Sequence, residues 1–275
     1  MKRIAIINSA VALLSLQMAS AQTDPPIYRE VFGNNTTTNL PITTSGWSGV
    51  WGGNAADWST GNGGVTPWNN FGISSSGGNP QNLDNINAGG PALSLTKGYL
   101  FTSGTSAAGT NWLAYQNSYT VNTALTPISQ ISFYAGSTAD SLNVIPGFRV
   151  AVEIDGNWYA TSQVFANTTS VSSGANFGTG SQQQIFLWTT AASAWDSLTF
   201  VPGASGTLAL GSVLSSPLPG DNITAFGLYS DSPVNGGVPT RRVDTFEIDS
   251  SVPEPGSIAF ALLGIGMLAG LRRSR

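Results

Sequence analysis

The fold class is decided by residues 148–161, which read FRVAVEI (148–154), DGN (155–157) and WYAT (158–161). Alternate positions of the first run are apolar, as expected of a strand with one buried face. These positions are Phe148, Val150, Val152 and Ile154. The Asp-Gly pair favours a tight hairpin, because glycine accepts the positive φ that such a turn requires. The stretch therefore predicts two antiparallel strands joined by a short turn.

The same alternation recurs on both sides of this hairpin, interrupted at short intervals by Gly, Asn, Ser and Pro, and no amphipathic helix stands out. This pattern predicts an all-β domain over residues 22–251, a single jelly-roll-like antiparallel β-sandwich. Residues 27–32 and 242–248 resemble the terminal strands of carbohydrate-binding jelly rolls in surface proteins, so we expect them to lie side by side. Further strands are predicted at 112–115, 128–134, 184–189, 197–201, 207–210 and 223–229.

Composition limits the chemistry that the body can perform. The 275-residue chain contains no cysteine and no histidine, which excludes disulfides, thiolate nucleophiles and imidazole bases. Residues 22–251 carry 13 acidic and 5 basic side chains, a net charge of −8. A nucleic-acid partner is not expected, because phosphate binding needs a basic patch.

Residues 1–21 have the three parts of a secretory signal peptide. Two basic residues precede an apolar run over 4–16, and alanines occupy the small-residue positions Ala19 and Ala21. This order predicts a signal peptide helix, export by the Sec machinery and cleavage before Gln22. An uncleaved N-terminal anchor is the alternative.

Residues 252–275 combine a short motif, an apolar run and a basic end. The motif is Pro253-Glu254-Pro255, and residues 255–271 carry no charge. As a helix this run would be about 25 Å long, a minimal membrane span. The segment ends in three arginines, which favour the cytoplasmic side of a membrane. We therefore predict a C-terminal transmembrane helix with the body on the outer side. The arginines are Arg272, Arg273 and Arg275.

This order of elements resembles the PEP-CTERM sorting signal. The resemblance implies recognition by an exosortase of a Gram-negative bacterium that makes exopolysaccharide. It also implies an inner-membrane intermediate, followed by transfer to the cell surface or extracellular matrix. The sorting function would then reside in Pro253, Glu254, Pro255 and the arginine cluster. An ordinary C-terminal anchor after a proline-containing linker is the alternative.

Residues 46–90 are rich in Gly, Asn and Ser and are predicted to form long loops or irregular edge structure. They contain Trp47, Trp51, Trp58 and Trp68, which could form a stacking platform for the sugar rings of an exopolysaccharide. The alternative is that these tryptophans fill the sandwich beneath the loops, since tryptophan is usually largely buried.

Acidic and basic residues of the body suggest further sites. Glu153-Ile154-Asp155 resembles the start of the catalytic strand of laminarinase-type hydrolases, but the second glutamate of a glycosidase pair does not follow. We predict that Glu153 faces outward, that Asp155 shapes a turn, and that Arg241-Arg242 is a solvated strand start. Oxygen ligands for calcium are available without the spacing of an EF-hand loop. They are Asp221, Asn222, Asp231, Asp244 and Asp249.

The sequence thus predicts a non-catalytic, exopolysaccharide-associated surface or matrix protein. We expect no catalytic residues and no resident metal or cofactor, with bound calcium left open. Two alternatives remain: a secreted carbohydrate-active hydrolase or lyase, and a purely structural or adhesive coat protein. Exposed tryptophan in a groove would favour sugar binding, and burial of every tryptophan would favour the coat protein.

Overall fold

A computed structural model of the chain describes ten segments of the body. They are residues 26–34, 36–53, 64–67, 71–75, 98–102, 111–137, 147–165, 183–203, 205–230 and 241–250. These residues form sixteen β-strands and two short 3-10 helices, at Ile42–Ser45 and Ala192–Ala194. None of the helices in the described segments is long and apolar enough to cross a membrane. The predicted leader (1–21) and tail (252–275) lie outside the described residues.

The strands are numbered in chain order, and every pairing between them is antiparallel. They are β1 (Tyr28–Glu30), β2 (Leu40–Pro41), β3 (Ser48–Gly53), β4 (Gly64–Pro67), β5 (Phe71–Ile73), β6 (Leu100–Thr102), β7 (Asn111–Gln116), β8 (Val121–Asn122), β9 (Ile128–Ser137), β10 (Arg149–Ile154), β11 (Asn157–Thr161), β12 (Gln183–Leu187), β13 (Trp195–Val201), β14 (Thr207–Val213), β15 (Asn222–Ser230) and β16 (Arg241–Ser250).

Two sheets contain all of these strands. The seven-stranded sheet has the order β12-β9-β16-β6-β5-β2, with β1 also paired to β16. The nine-stranded sheet has the order β14-β13-β11-β10-β15-β7-β3-β4, with β8 also paired to β15. The long strands β16 and β15 each pair with one strand along one side and with two strands along the other.

The main core lies between the two sheets, which confirms the predicted antiparallel β-sandwich. Val150, Val152 and Ile154 of β10 all face this core, because successive side chains of a strand point to opposite faces. They pack in one cluster with Phe133 of β9 and Phe246 of β16, and none of these side chains is more than 1% exposed. The jelly-roll connectivity stays a prediction.

The hairpin and the terminal pairing that the sequence predicts are both present. β10 pairs with β11, with Ile154 opposite Asn157, and the turn residues Asp155 and Gly156 have positive φ of 52° and 74°. Positive φ at both central residues is the mark of a type I′ turn. At the other end of the chain order, β1 pairs with β16, with Arg29 opposite Glu247. Both predictions are confirmed.

The prediction of loops over residues 46–90 is wrong in part, because β3, β4 and β5 lie there. The error arises because glycine is typical of loops, whereas the glycines in these strands allow close packing. A Cβ on Gly49 of β3 would lie 2.4 Å from the ring of Phe71 in β5, and a Cβ on Gly72 would lie 2.9 Å from the ring of Phe101 in β6. The short strands β2, β6 and β8 have too few residues to show an alternating pattern.

Candidate functional site

The nine-stranded sheet is so strongly curved that its two ends meet. β14, at one end, lies against β3 and β4 at the other. The side-chain amide of Asn111 in β7 donates a hydrogen bond to the carbonyl oxygen of Leu208 in β14, at 3.1 Å. The face turned away from the main core is therefore concave, and it carries a second cluster of buried apolar residues.

Small residues allow this curvature. Ala151 of β10, Ala160 of β11 and Ala225 of β15 are fully buried in the second cluster. Gly227 of β15 lies opposite Ala151, and a Cβ there would be 2.0 Å from the carbonyl oxygen of Ala114. At these positions the concave face carries only small side chains, so the strands on either side can approach one another.

Three aromatic rings meet across the concave face. The ring of Tyr115 (β7) lies 5.5 Å from that of Trp158 (β11) and 5.6 Å from that of Phe200 (β13), and the last two are 5.7 Å apart, all edge to face. β15 and β10 lie between β7 and β11 in the sheet. Because neighbouring strands are about 4.8 Å apart, rings on β7 and β11 could not touch across a flat sheet, so these contacts require the curvature. Trp158 is 7% exposed, whereas Tyr115 and Phe200 are half-buried. We call this surface the aromatic trough.

Glu153 places a carboxylate beside Trp158 of the aromatic trough. Glu153 of β10 lies opposite Trp158 in β11 and Ala225 in β15, on the same face of the sheet. Its Oε2 accepts a hydrogen bond from the hydroxyl of Thr224 at 2.7 Å. Glu153 therefore points away from the main core and Asp155 shapes the turn, as predicted. Neither cross-strand neighbour of Glu153 supplies the second carboxylate of a glycosidase pair.

The predicted tryptophan platform is wrong for Trp47 and Trp51, which are only 1% and 3% exposed and belong to the main core. The indole N–H of Trp47 donates to the hydroxyl of Tyr28 at 2.8 Å, and its ring contacts Phe32 and Phe246 edge to face. A fully enclosed ring has no free face for a sugar. Trp58 and Trp68 lie outside the described residues.

The aromatic trough was not predicted from the sequence, because its rings lie on strands far apart in the chain. A signal was nevertheless present. Leu113 and Tyr115 alternate with the core residue Trp112, and Leu198 and Phe200 alternate on β13 in the same way. Apolar residues on both faces of a strand predict that the second face is covered as well.

Arg241 and Arg242 begin β16 as predicted, but the prediction that they are solvated is wrong, because they are only 2% and 6% exposed. Arg241 donates from Nε to the hydroxyl of Ser230 at 2.8 Å, and its guanidinium lies 5.8 Å from the ring centre of Trp112. Arg242 lies 5.6 Å from the ring centre of Tyr99. Aromatic faces favour a planar guanidinium, which offsets part of the cost of burying its charge.

The predicted calcium ligands are not brought together in the described segments, where no group of three or more acidic side chains could hold a metal ion. Asp221 and Asn222 are exposed at the start of β15, and Asp249 accepts a hydrogen bond from Gln130 at 2.8 Å. Asp244 is fully buried in β16 and accepts from the backbone N–H of its neighbour at 2.7 Å. Asp231 lies outside the described residues.

The sorting residues also lie outside the described residues, as do Ala19, Ala21 and Gln22, so signal cleavage stays a prediction. Comparison with known protein families finds the PEP-CTERM protein-sorting motif at residues 251–275. The match spans Pro253, Glu254, Pro255 and the closing arginines. No curated protein matches the chain. The tail indicates an exported, cell-surface-directed protein that an exosortase processes.

Proposed function

We propose that this exported protein is a non-catalytic structural or adhesive component of the outer surface or extracellular matrix of a Gram-negative bacterium. The sorting motif at 251–275 is the observation that carries the proposal. Burial supports the structural role, since five of the six tryptophans in the described segments are no more than 7% exposed and only Trp188 is half-buried. Sec-dependent export, a transient stay in the inner membrane and removal of the tail belong to the same proposal.

The absence of catalysis is supported by chemistry. The chain has no histidine and no cysteine, so a hydrolase or lyase built on it could use neither an imidazole base nor a thiolate nucleophile. Glu153 at the aromatic trough is flanked across the strands by Trp158 and Ala225. To test this, the protein would be incubated with the polysaccharide of its own matrix and the polymer length followed. We expect no change, whereas shortening that Glu153→Gln abolishes would establish the carbohydrate-active enzyme instead.

Association with exopolysaccharide is the finer part of the proposal. Tyr115 and Phe200 present partly exposed rings at the aromatic trough, and the apolar face of a sugar packs well against such rings. Retention of matrix polysaccharide by the immobilised protein provides the test. Phe200→Ala should weaken retention several-fold, whereas Leu125→Ala, which alters a side chain 80% exposed in a turn, should leave it unchanged.

Unfolding curves of both variants separate lost binding from lost structure. If Phe200→Ala is folded and still retains polysaccharide like the wild-type protein, the aromatic trough is not the binding surface. The structural or adhesive role would then stand without polysaccharide association.

A further inference from the structure

The two edges of the seven-stranded sheet differ in their protection. β2 forms one edge with only two residues, one of which is Pro41. Short strands and proline prevent an edge from pairing with another strand. β12 forms the other edge with five residues, none of them proline and none charged. Neither proline nor a charged side chain within β12 protects this second edge.

The hydrogen bonds between β12 and β9 show which backbone groups of β12 face outward, away from β9. The N–H of Trp188 donates to the carbonyl oxygen of Ser129 at 3.0 Å, which continues the register of Phe186 with Ile131. In an antiparallel pair, hydrogen-bonded and non-hydrogen-bonded positions alternate. Gln183, Ile185 and Leu187 therefore direct their backbone N–H and C=O groups away from β9. In the part of the chain that the structure describes, β12 has no strand on that side.

The side chains at two of these three positions are exposed and apolar. Ile185 is 44% exposed and Leu187 is 71% exposed, although Phe186 between them is buried in the main core. An exposed apolar strand with outward-facing backbone groups is a template for another strand. The chemistry of β12 thus favours an extended, uncharged partner segment.

β12 of a second copy fits this description of the partner, because it is itself an extended segment without a charged side chain. The body has a net charge of −8, which opposes association of two copies over most of their surface. Residues 156–195, which contain β12, include no charged side chain. β12 itself therefore brings no like charges together when two copies meet at this edge.

We propose that β12 is a self-association surface, at which β12 of two copies pair antiparallel about a two-fold axis. The axis passes at Ile185, the middle residue of β12. In this register the backbone groups of all three outward-facing residues can form hydrogen bonds with the other copy. Ile185 then lies opposite its own counterpart, and Gln183 of each copy lies opposite Leu187 of the other. A two-fold interface of this kind is self-complementary and joins the two seven-stranded sheets into one. The proposal goes beyond the proposed function and does not depend on polysaccharide binding.

Sedimentation equilibrium of the protein recovered from the cell surface or medium tests this proposal. The wild-type protein should form a dimer. Ile185→Lys places two ammonium groups face to face, so we expect dimerisation at least ten-fold weaker. Leu125→Lys makes the same charge change at a side chain 80% exposed in a turn and should dimerise like the wild type. A monomeric wild-type protein, or equal dimerisation of both variants, would overturn the proposal.

A cysteine variant provides an independent test, since the chain has no cysteine of its own. Antiparallel partners at a hydrogen-bonded position have Cα atoms about 5.5 Å apart, within the range that a disulfide spans. Ile185→Cys should therefore cross-link in an oxidising buffer, and Leu125→Cys should not. Equal cross-linking of the two variants would contradict the two-fold register. A complex with a different protein through β12 would show that the edge binds a foreign strand and not a second copy. Ile185→Lys should retain polysaccharide like the wild type, which separates failure of this proposal from failure of sugar binding.

Discussion

Gly227 shows how one residue without a side chain lets β15 and β7 lie close together in the nine-stranded sheet. A Cβ at this position would lie 2.0 Å from the carbonyl oxygen of Ala114 and 2.7 Å from the Cα of Tyr115. These are backbone atoms, which cannot move aside as a flexible side chain can. We expect Gly227→Val to lower the free energy of unfolding by about 3 kcal/mol or more. Urea denaturation measures this change. Ser212→Val, at an exposed position of β14, should change stability by less than about 0.5 kcal/mol.

Glu30 links stability to pH. Burial raises the pKa of its carboxyl group, and the backbone hydrogen bonds from Phe32 and Val31 lower it by less. Folding therefore favours the protonated form, so stability is greatest below the pKa of the unfolded chain and falls as the pH rises through the higher pKa of the folded state.

A substitution at Glu30 tests this linkage. Glu30→Gln keeps an oxygen that can accept the N–H of Phe32, which donates to Oε1 at 2.7 Å, and removes the ionisation. We expect it to stabilise the protein at pH 7 and to have little effect at pH 4. Thermal melts at the two pH values measure the difference. Asp221→Asn, at an exposed position, is the matched control, and an equal effect at both pH values would contradict this role of Glu30.

At the scale of elements, the hairpin between β10 and β11 depends on backbone conformation. Nothing lies within 4 Å of the position of a Cβ on Gly156, but its φ is 74°. Gly156→Ala should therefore destabilise the fold by about 1 kcal/mol through backbone strain alone. Ser212→Ala, at an exposed position of β14, is the control in the same denaturation experiment. Equal stability of the Gly156→Ala variant and the wild type would show that the turn tolerates a side chain.

Strands could be predicted where apolar residues alternate along the sequence. They could not be predicted where residues are in a strand because of contacts with distant parts of the chain. β10 could be predicted because Val150, Val152 and Ile154 alternate with residues that face the other way. β3 and β5 could not, because Gly49 and Gly72 are in strands only to make room for aromatic rings that the sequence does not show beside them. Intrinsic propensity alone assigns such glycines to loops.

At the scale of the whole molecule, local alternation was enough to predict a two-sheet sandwich but not its curvature. The aromatic trough joins residues 115, 158 and 200, and their meeting depends on the order of five strands in the sheet. Arg241 and Arg242 were expected in solvent for the same reason, because only the folded chain brings Trp112 and Tyr99 next to them. The sorting tail needs no such tertiary information, because its elements are consecutive in the chain.

The central claim is that the tail at 251–275 marks an exported protein for processing by an exosortase. Intact-mass analysis of the protein from the cell envelope and from the culture medium tests it most directly. We expect a surface or medium species that begins at Gln22 and ends near Val252, without the apolar run 258–271. A species that keeps this run and is found only in the inner membrane would contradict exosortase sorting.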